Sequence, residues 1–239
     1  MYRKLSFLLF LFSLSYGLQA QWSLGVETGI TRNTVITSAS NLSFTTYKPV
    51  TGYAVGLPVR YEFNNWFSIQ ADPNITQKGY VYDRTGPYSG YFEEFKNTYL
   101  QLPVMAQFRF GGQKLKGFMN MGVFGGYWSG SHINGNLLNA LNYNPNSTTT
   151  SKEQSYHFSE KGTFDKTRDN RMEMGMVVGA GFSYQLTPLY QVFVEGRYMP
   201  SFTDLQKQYM HNQVARYNLT YRISVGVSMK LSKLGSIIK

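Results

Sequence analysis

The sequence contains no cysteine, which excludes a disulfide framework and any thiolate metal site. Charge is scarce: only 15% of the 239 residues are Asp, Glu, Lys or Arg, an unusual surface for a cytosolic helical protein. Long apolar runs are missing beyond residue 20, where no stretch approaches the ~18 residues that a spanning helix needs. Mean hydropathy is slightly polar, which also argues against a helical membrane bundle. What the chain has instead is aromatics, at 16%, and 23 glycines. That combination leaves β-rich classes, soluble or membrane-embedded.

The first twenty residues read differently. Arg3 and Lys4 form a basic start, Leu5 to Leu14 is nearly all Leu and Phe, and Leu18-Gln19-Ala20 offers a small residue before a cut. This is the pattern of a cleavable signal peptide, 1–20; the alternative is an uncleaved helical anchor, for which the apolar run is short. Cleavage removes Arg3 and Lys4 and lowers the formal charge from +10 to +8.

The rest is dominated by period-two alternation, the mark of strands with two unlike faces. In the clearest run Tyr217, Leu219, Tyr221, Ile223, Val225, Val227, Met229 and Leu231 oppose Asn218, Thr220, Arg222, Ser224, Gly226, Ser228 and Lys230. Eight such runs are predicted. Short turns at Asn64-Asn65, Gly111 to Lys116 and Thr187-Pro188-Leu189 alternate with long polar stretches near 33–49, 79–96, 129–170 and 202–214. Segregated loop lengths are the layout of an outer-membrane barrel, with periplasmic turns and extracellular loops. The expectation is all-β: an eight-stranded antiparallel transmembrane barrel over 21–231, with a C-terminal tail at 232–239. A soluble lipocalin-like barrel is the structural rival.

Aromatics on the apolar face fall into two belts. Trp22, Tyr61, Phe63, Phe67, Phe108, Phe110, Tyr184 and Tyr190 lie near the short-turn end, and Tyr53, Tyr127, Tyr198 and Tyr217 near the long-loop end. Pro58, Pro73 and Pro103 fall inside the runs and mark bulges or breaks there.

The polar face collects Glu27, Glu62, Asp72, Glu173 and Glu195 with Arg60, Arg109, Arg197, Arg222 and Lys230. An eight-stranded barrel is just wide enough to be filled by side chains, so these charges are expected to pair as a plug. The alternative is a narrow conduit or small-ligand site, with room left by inward glycines such as Gly52, Gly175 and Gly226. An enzyme acting on lipid would need Ser, His and a carboxylate converging. His132, His157 and His211 all lie in long loops, and no metal or phosphate motif is present, so no catalytic residue, metal ligand or cofactor is expected.

Several stretches resemble the PorT-like family of small outer-membrane barrels: Tyr61-Glu62-Phe63 leading into Trp66 to Gln70, then Gln77-Lys78-Gly79, then Tyr99 to Val104, and the closing strand Tyr221 to Leu231. The resemblance implies an outer-membrane barrel, with some members linked to protein secretion, and carries no shared catalytic residues. Ending without a terminal Phe departs from the common barrel pattern. The expected partners are outer-membrane lipid and lipopolysaccharide, with envelope proteins meeting the loops and no nucleic acid.

Overall fold

The computed structural model describes residues 21–37, 44–86, 89–138, 155–211 and 213–231; the expected signal peptide and C-terminal tail lie outside them. The strands are β1 (Gln21–Thr37), β2 (Thr45–Gly56), β3 (Val59–Glu62), β4 (Phe67–Ala71), β5 (Asn74–Arg84), β6 (Phe92–Gly111), β7 (Leu115–Leu138), β8 (Ser155–Lys161), β9 (Met172–Gln185), β10 (Tyr190–Asp204) and β11 (Arg216–Lys230). β2 and β3 form one stave and β4 and β5 another, each interrupted by two residues. With β1, β6, β7, β9, β10 and β11 they make a ring of eight antiparallel staves, closed by the pairing of β1 with β11.

Closure shows in the register. From Glu27, pairing through Gly226, Phe193, Ser183 and Lys116 arrives at Gly111 of β6; the other way, through Gly56 and Asn74, it arrives at Gln101 of that same strand. The offset between the two arrivals is the stagger that tilted strands need to close.

The short connections are built by turn chemistry. The Asn64 side chain accepts from the amides of Trp66 (3.0 Å) and Phe67 (2.7 Å), and Thr187 Oγ1 from those of Leu189 and Tyr190. Gly111 takes a φ of 113°, open to glycine at little cost.

Strand phase sets the two surfaces. Val26, Ile30, Met121, Val123, Phe182, Ile223 and Val225 project outward and are more than half exposed, while Glu27, Thr31, Asn120, Ser183, Arg222 and Ser224 on the same strands are buried inside. A band of exposed aliphatic side chains this continuous is stable only against an apolar surrounding. At the short-turn end, rings run in contact along the band: Trp22 to Tyr61 (4.8 Å) and Tyr61 to Phe63 (4.7 Å) edge to face, Phe63 to Phe67 (5.5 Å) stacked and Phe67 to Phe108 (5.3 Å) tilted. Phe110, Tyr184 and Tyr190 are exposed on the outward face toward the same end. At the other end Tyr53, Tyr127 and Tyr198 are exposed on that face, Tyr198 lies 5.3 Å from Tyr221, and Tyr217 is half-buried.

One feature departs from the sequence expectation: among the described residues, much of the long polar stretches near 33–49, 79–96 and 129–170 is strand. β1, β2, β5, β6 and β7 run on past the apolar band, and β8 pairs with the upper part of β7 outside the ring. The outward apolar pattern stops there because that face meets water, yet the backbone ladder continues. The prolines, expected at bulges or breaks, lie side by side in neighbouring staves. Pro58 and Pro73 sit at the two interruptions and Pro103 inside β6, and each carbonyl still accepts: Pro58 from Gly25 N (2.8 Å), Pro73 from Leu57 N (3.0 Å) and Pro103 from Asp72 N (3.0 Å). Only the donor half of each ladder position is lost.

Candidate functional site: the lumen and its outer mouth

The interior holds five buried carboxylates, Glu27, Glu62, Asp72, Glu173 and Glu195, and five buried cations, Arg60, Lys78, Arg109, Arg197 and Arg222. The interior is thus formally neutral. At the short-turn end Arg109 donates to Glu62 Oε1 (2.6 Å) and to the Asn64 carbonyl (2.9 Å), with Lys230 4.0 Å from Glu62. Arg60 donates through Nε and Nη2 to Gln70 Oε1.

Arg197 organises the centre. It donates to Glu195 (2.7 and 2.8 Å), to Glu27 (3.4 Å) and to Asp72, drawing β10, β1 and the β4–β5 connection together. Arg222 adds a second cation, bonded to Glu27 and 3.6 Å from Asp72, while Asn120 donates to Glu195 (2.6 Å). All of these side chains are almost wholly shielded from solvent. Buried charge is tolerable only with such partners, because an unpaired ion there costs several kcal/mol.

Above this lies an apolar layer of Met105, Phe124, Val177 and Met199. Beside it sits a second ionic knot that the sequence reading missed. Lys78 donates to both oxygens of Glu173 (2.9 and 2.8 Å), which also accept from Gln101 (3.0 Å) and Asn218 (3.0 Å). The Lys78 ammonium lies over the rings of Tyr99 (5.2 Å) and Phe124 (5.0 Å). The signal was present: Ser68, Gln70, Asp72, Asn74, Thr76 and Lys78 keep one inward phase straight through Pro73.

The inward glycines are filled rather than open. Phe118, Phe124 and Phe193 pair across the ladder with Gly181, Gly175 and Gly226, and each ring lies where a Cβ on the glycine would go. The mouth is then covered by Val35, Tyr80 and Leu205, with Tyr47, Tyr82 and Phe95 packed against them. Larger depressions, about 740 and 720 Å³, lie on the outward apolar surface among side chains such as Val55, Phe182, Val225, Leu100 and Met172, away from this polar chemistry.

A family model for the outer-membrane protein β-barrel domain matches residues 19–207. The chain belongs to that family. The apolar band is therefore its bilayer surface, and the protein resides in the outer membrane. No curated protein matches the sequence. Among solved structures it is similar to OprG from Pseudomonas aeruginosa (11% identity, 87% of this chain and 95% of that one, TM-score 0.49). It is also similar to Neisserial surface protein A (12%, 86% and 96%, 0.41) and to Ail, the attachment invasion locus protein of Yersinia pestis (16%, 86% and 97%, 0.40).

Among the described residues, His132 and His157 of this family member form no Ser–His–carboxylate array. His132 Nε2 lies 3.1 Å from Ser159 Oγ, but that hydroxyl gives its proton to Asn134 Oδ1 (2.7 Å), and His132 and Ser159 are exposed. A serine nucleophile needs its proton directed at the histidine and a carboxylate behind the ring. His157 pairs across β7–β8 with Asn136 and is exposed. Among the described residues no group of three His, Cys, Asp or Glu side chains is placed to hold a metal.

Proposed function

We propose that this protein is a closed, non-enzymatic outer-membrane barrel that acts through the long-stranded face beyond its second aromatic belt. In this reading the short turns face the periplasm, and the extensions of β1, β2, β5, β6, β7 and β8 stand outside the cell. The belts meet lipid and lipopolysaccharide, and envelope proteins are met through the extensions. The PorT-like resemblance adds a link to protein secretion.

One observation carries the reading: the lumen's charges are spent on one another, and apolar layers lie above them. Arg197 alone engages three carboxylates. A conduit needs charges that water and ions can reach, and these side chains are sealed. Purified protein in planar lipid bilayers is expected to give no stable conductance steps; reproducible single-channel steps would overturn the plugged lumen. Co-purification from outer membranes in mild detergent tests the interaction half.

A narrow pore is the second reading, and it has an observation of its own. Asp72 Oδ1, Arg222 Nε, Asn120 Oδ1, Gln70 Nε2 and Ser224 Oγ are buried without a hydrogen-bond partner among the protein's atoms. Groups of this kind are ordinarily satisfied by internal water. A wet lower lumen under a sealed upper one still does not conduct.

A further inference from the structure

Beyond the second belt, β7 changes phase. Its register with β6 shifts between Thr98 and Tyr99, where Ser129 is the extra residue of a bulge. Below the bulge Gly122, Phe124 and Gly126 pair with inward residues of β6; above it Ser131, Ile133 and Gly135 take that role. With β8 this builds a three-stranded concave face in two rows: Glu93, Gly135 and Phe158, then Phe95, Ile133 and Glu160. Phe158 lies over Gly135, where a Cβ would meet its ring at 2.5 Å.

This face forms one wall of a cleft of about 450 Å³, whose far side is Thr163, Phe164, Arg168, Asp169 and Gln206 and whose floor includes Tyr80 and Leu205. The cleft is of ligand size and mixes rings with a few polar groups.

The charges in it are unevenly spent. Arg168 is paired with Asp169 at 2.8 Å, and Arg216 reaches the Tyr80 hydroxyl at the floor. Glu93 and Glu160 have no ion-pair partner among the described residues. Glu93 is also half-buried, and burial holds its carboxyl above the usual glutamate range. A partly desolvated carboxylate beside ring faces favours a cation. The neighbouring side chains already show the mode: the Arg171 guanidinium is held between the rings of Tyr127 (4.4 Å) and Phe164 (4.1 Å).

We propose that this cleft is a binding site for an organic cation, a protonated amine or guanidinium on an aliphatic or aromatic stem. Glu93 and Glu160 take the charge, and Phe95, Ile133 and Phe158 pack against the stem. The inference names a ligand chemistry for the outer face of the proposed function and rests on that reading only for where the ligand comes from. The chemistry has two sources, a free polyamine or a Lys or Arg side chain of a peptide. The protein's overall charge of +10 repels cations, so saturable uptake reports a local site and not the general field.

The test is calorimetric titration of the full chain in detergent micelles at low salt, with spermidine and with an acetylated, amidated Phe-Lys dipeptide. The same dipeptide acetylated at Nε is the neutral control. One saturable site is expected, weakened about tenfold or more in E93Q/E160Q and less in each single variant. Glu94, on the opposite face of β6 and paired with Lys96, supplies the control, and E94Q is expected to bind within about twofold of the parent. Tighter binding of spermidine identifies the free amine as the source, and tighter binding of the dipeptide identifies a peptide side chain. Three results overturn the proposal: no saturable binding of either cation, equal binding of the Nε-acetylated dipeptide, or an equal loss in E94Q. Glu160 is exposed, so E160Q keeps the test valid should E93Q fold poorly. Failure here leaves the conductance result untouched, so the two readings fall separately.

Discussion

The central lumen and the outer cleft contain the same residue types in opposite states. Around Arg197, three carboxylates and a second arginine pair with one another in the buried middle of the barrel. Around Phe158, two carboxylates face the cleft without an ion pair among the described residues, while Arg168 and Arg216 in the same cleft are held by Asp169 and Tyr80. The contrast separates charges that fix a structure from charges left free for a ligand. Paired and buried, a carboxylate ties staves together; unpaired at a ring-lined edge, it is available to something else.

The largest expected effect breaks the first region and spares the second. Arg197→Met leaves Glu27 and Asp72 with Arg222 alone and Glu195 with no ion pair among the described residues, and is expected to cost about 3–5 kcal/mol. Urea unfolding followed by tryptophan fluorescence in micelles measures this, with amine affinity in the cleft staying within about twofold. A loss below about 1 kcal/mol would mean that the central charges are not coupled through Arg197.

Next comes the upper knot. Lys78→Met is expected to cost about 3 kcal/mol because Glu173 is left charged and buried. The double variant K78M/E173M is expected to cost less than the two singles together, and additive losses in a double-mutant cycle would argue against direct coupling. A steric change in the same layer ranks third. Gly175→Ala brings a Cβ to 2.2 Å from the Pro200 carbonyl and 2.6 Å from the Phe124 ring, for about 1–3 kcal/mol in the same unfolding experiment.

The smallest effect lies in the cleft and depends on pH. Because burial raises the Glu93 pKa, the folded group takes up a proton at higher pH than a free glutamate. Affinity for an amine, which stays charged throughout, is expected to fall as pH drops through that raised value. The empty protein gains slight stability over the same acid shift, since the folded state binds the proton more tightly. A titration series across mildly acidic pH decides it: E93Q is expected to flatten the profile, and an unflattened one removes Glu93 from the site.

Much of this architecture was readable before any coordinates. The inward positions of Glu27, Arg60, Glu62, Arg109, Glu173, Glu195, Arg197 and Arg222 follow from strand phase, which a ladder must keep. The ring count follows from the alternation of short turns and long connections. Lys78 was readable by the same rule, six residues after Asp72 and in the same inward phase. The cleft was not readable. Its wall depends on a bulge at Ser129 that reverses the phase of β7, and nothing local distinguishes that serine from its neighbours. β8 was hidden for a related reason, because a strand with water on both faces carries no apolar alternation to announce it.

By itself the sequence determined which side chains face lipid and which face inward, since a period of two leaves each residue only one of two directions. It also determined that the interior would be charged. Only the tertiary structure decided the partners. Arg197 with Asp72, and Lys78 with Glu173, are far apart in the chain and meet because barrel closure and stagger bring distant staves to one level. The bulge at Ser129 and the added strand β8 decided that Glu93 and Glu160 face one cleft, without an ion pair among the described residues.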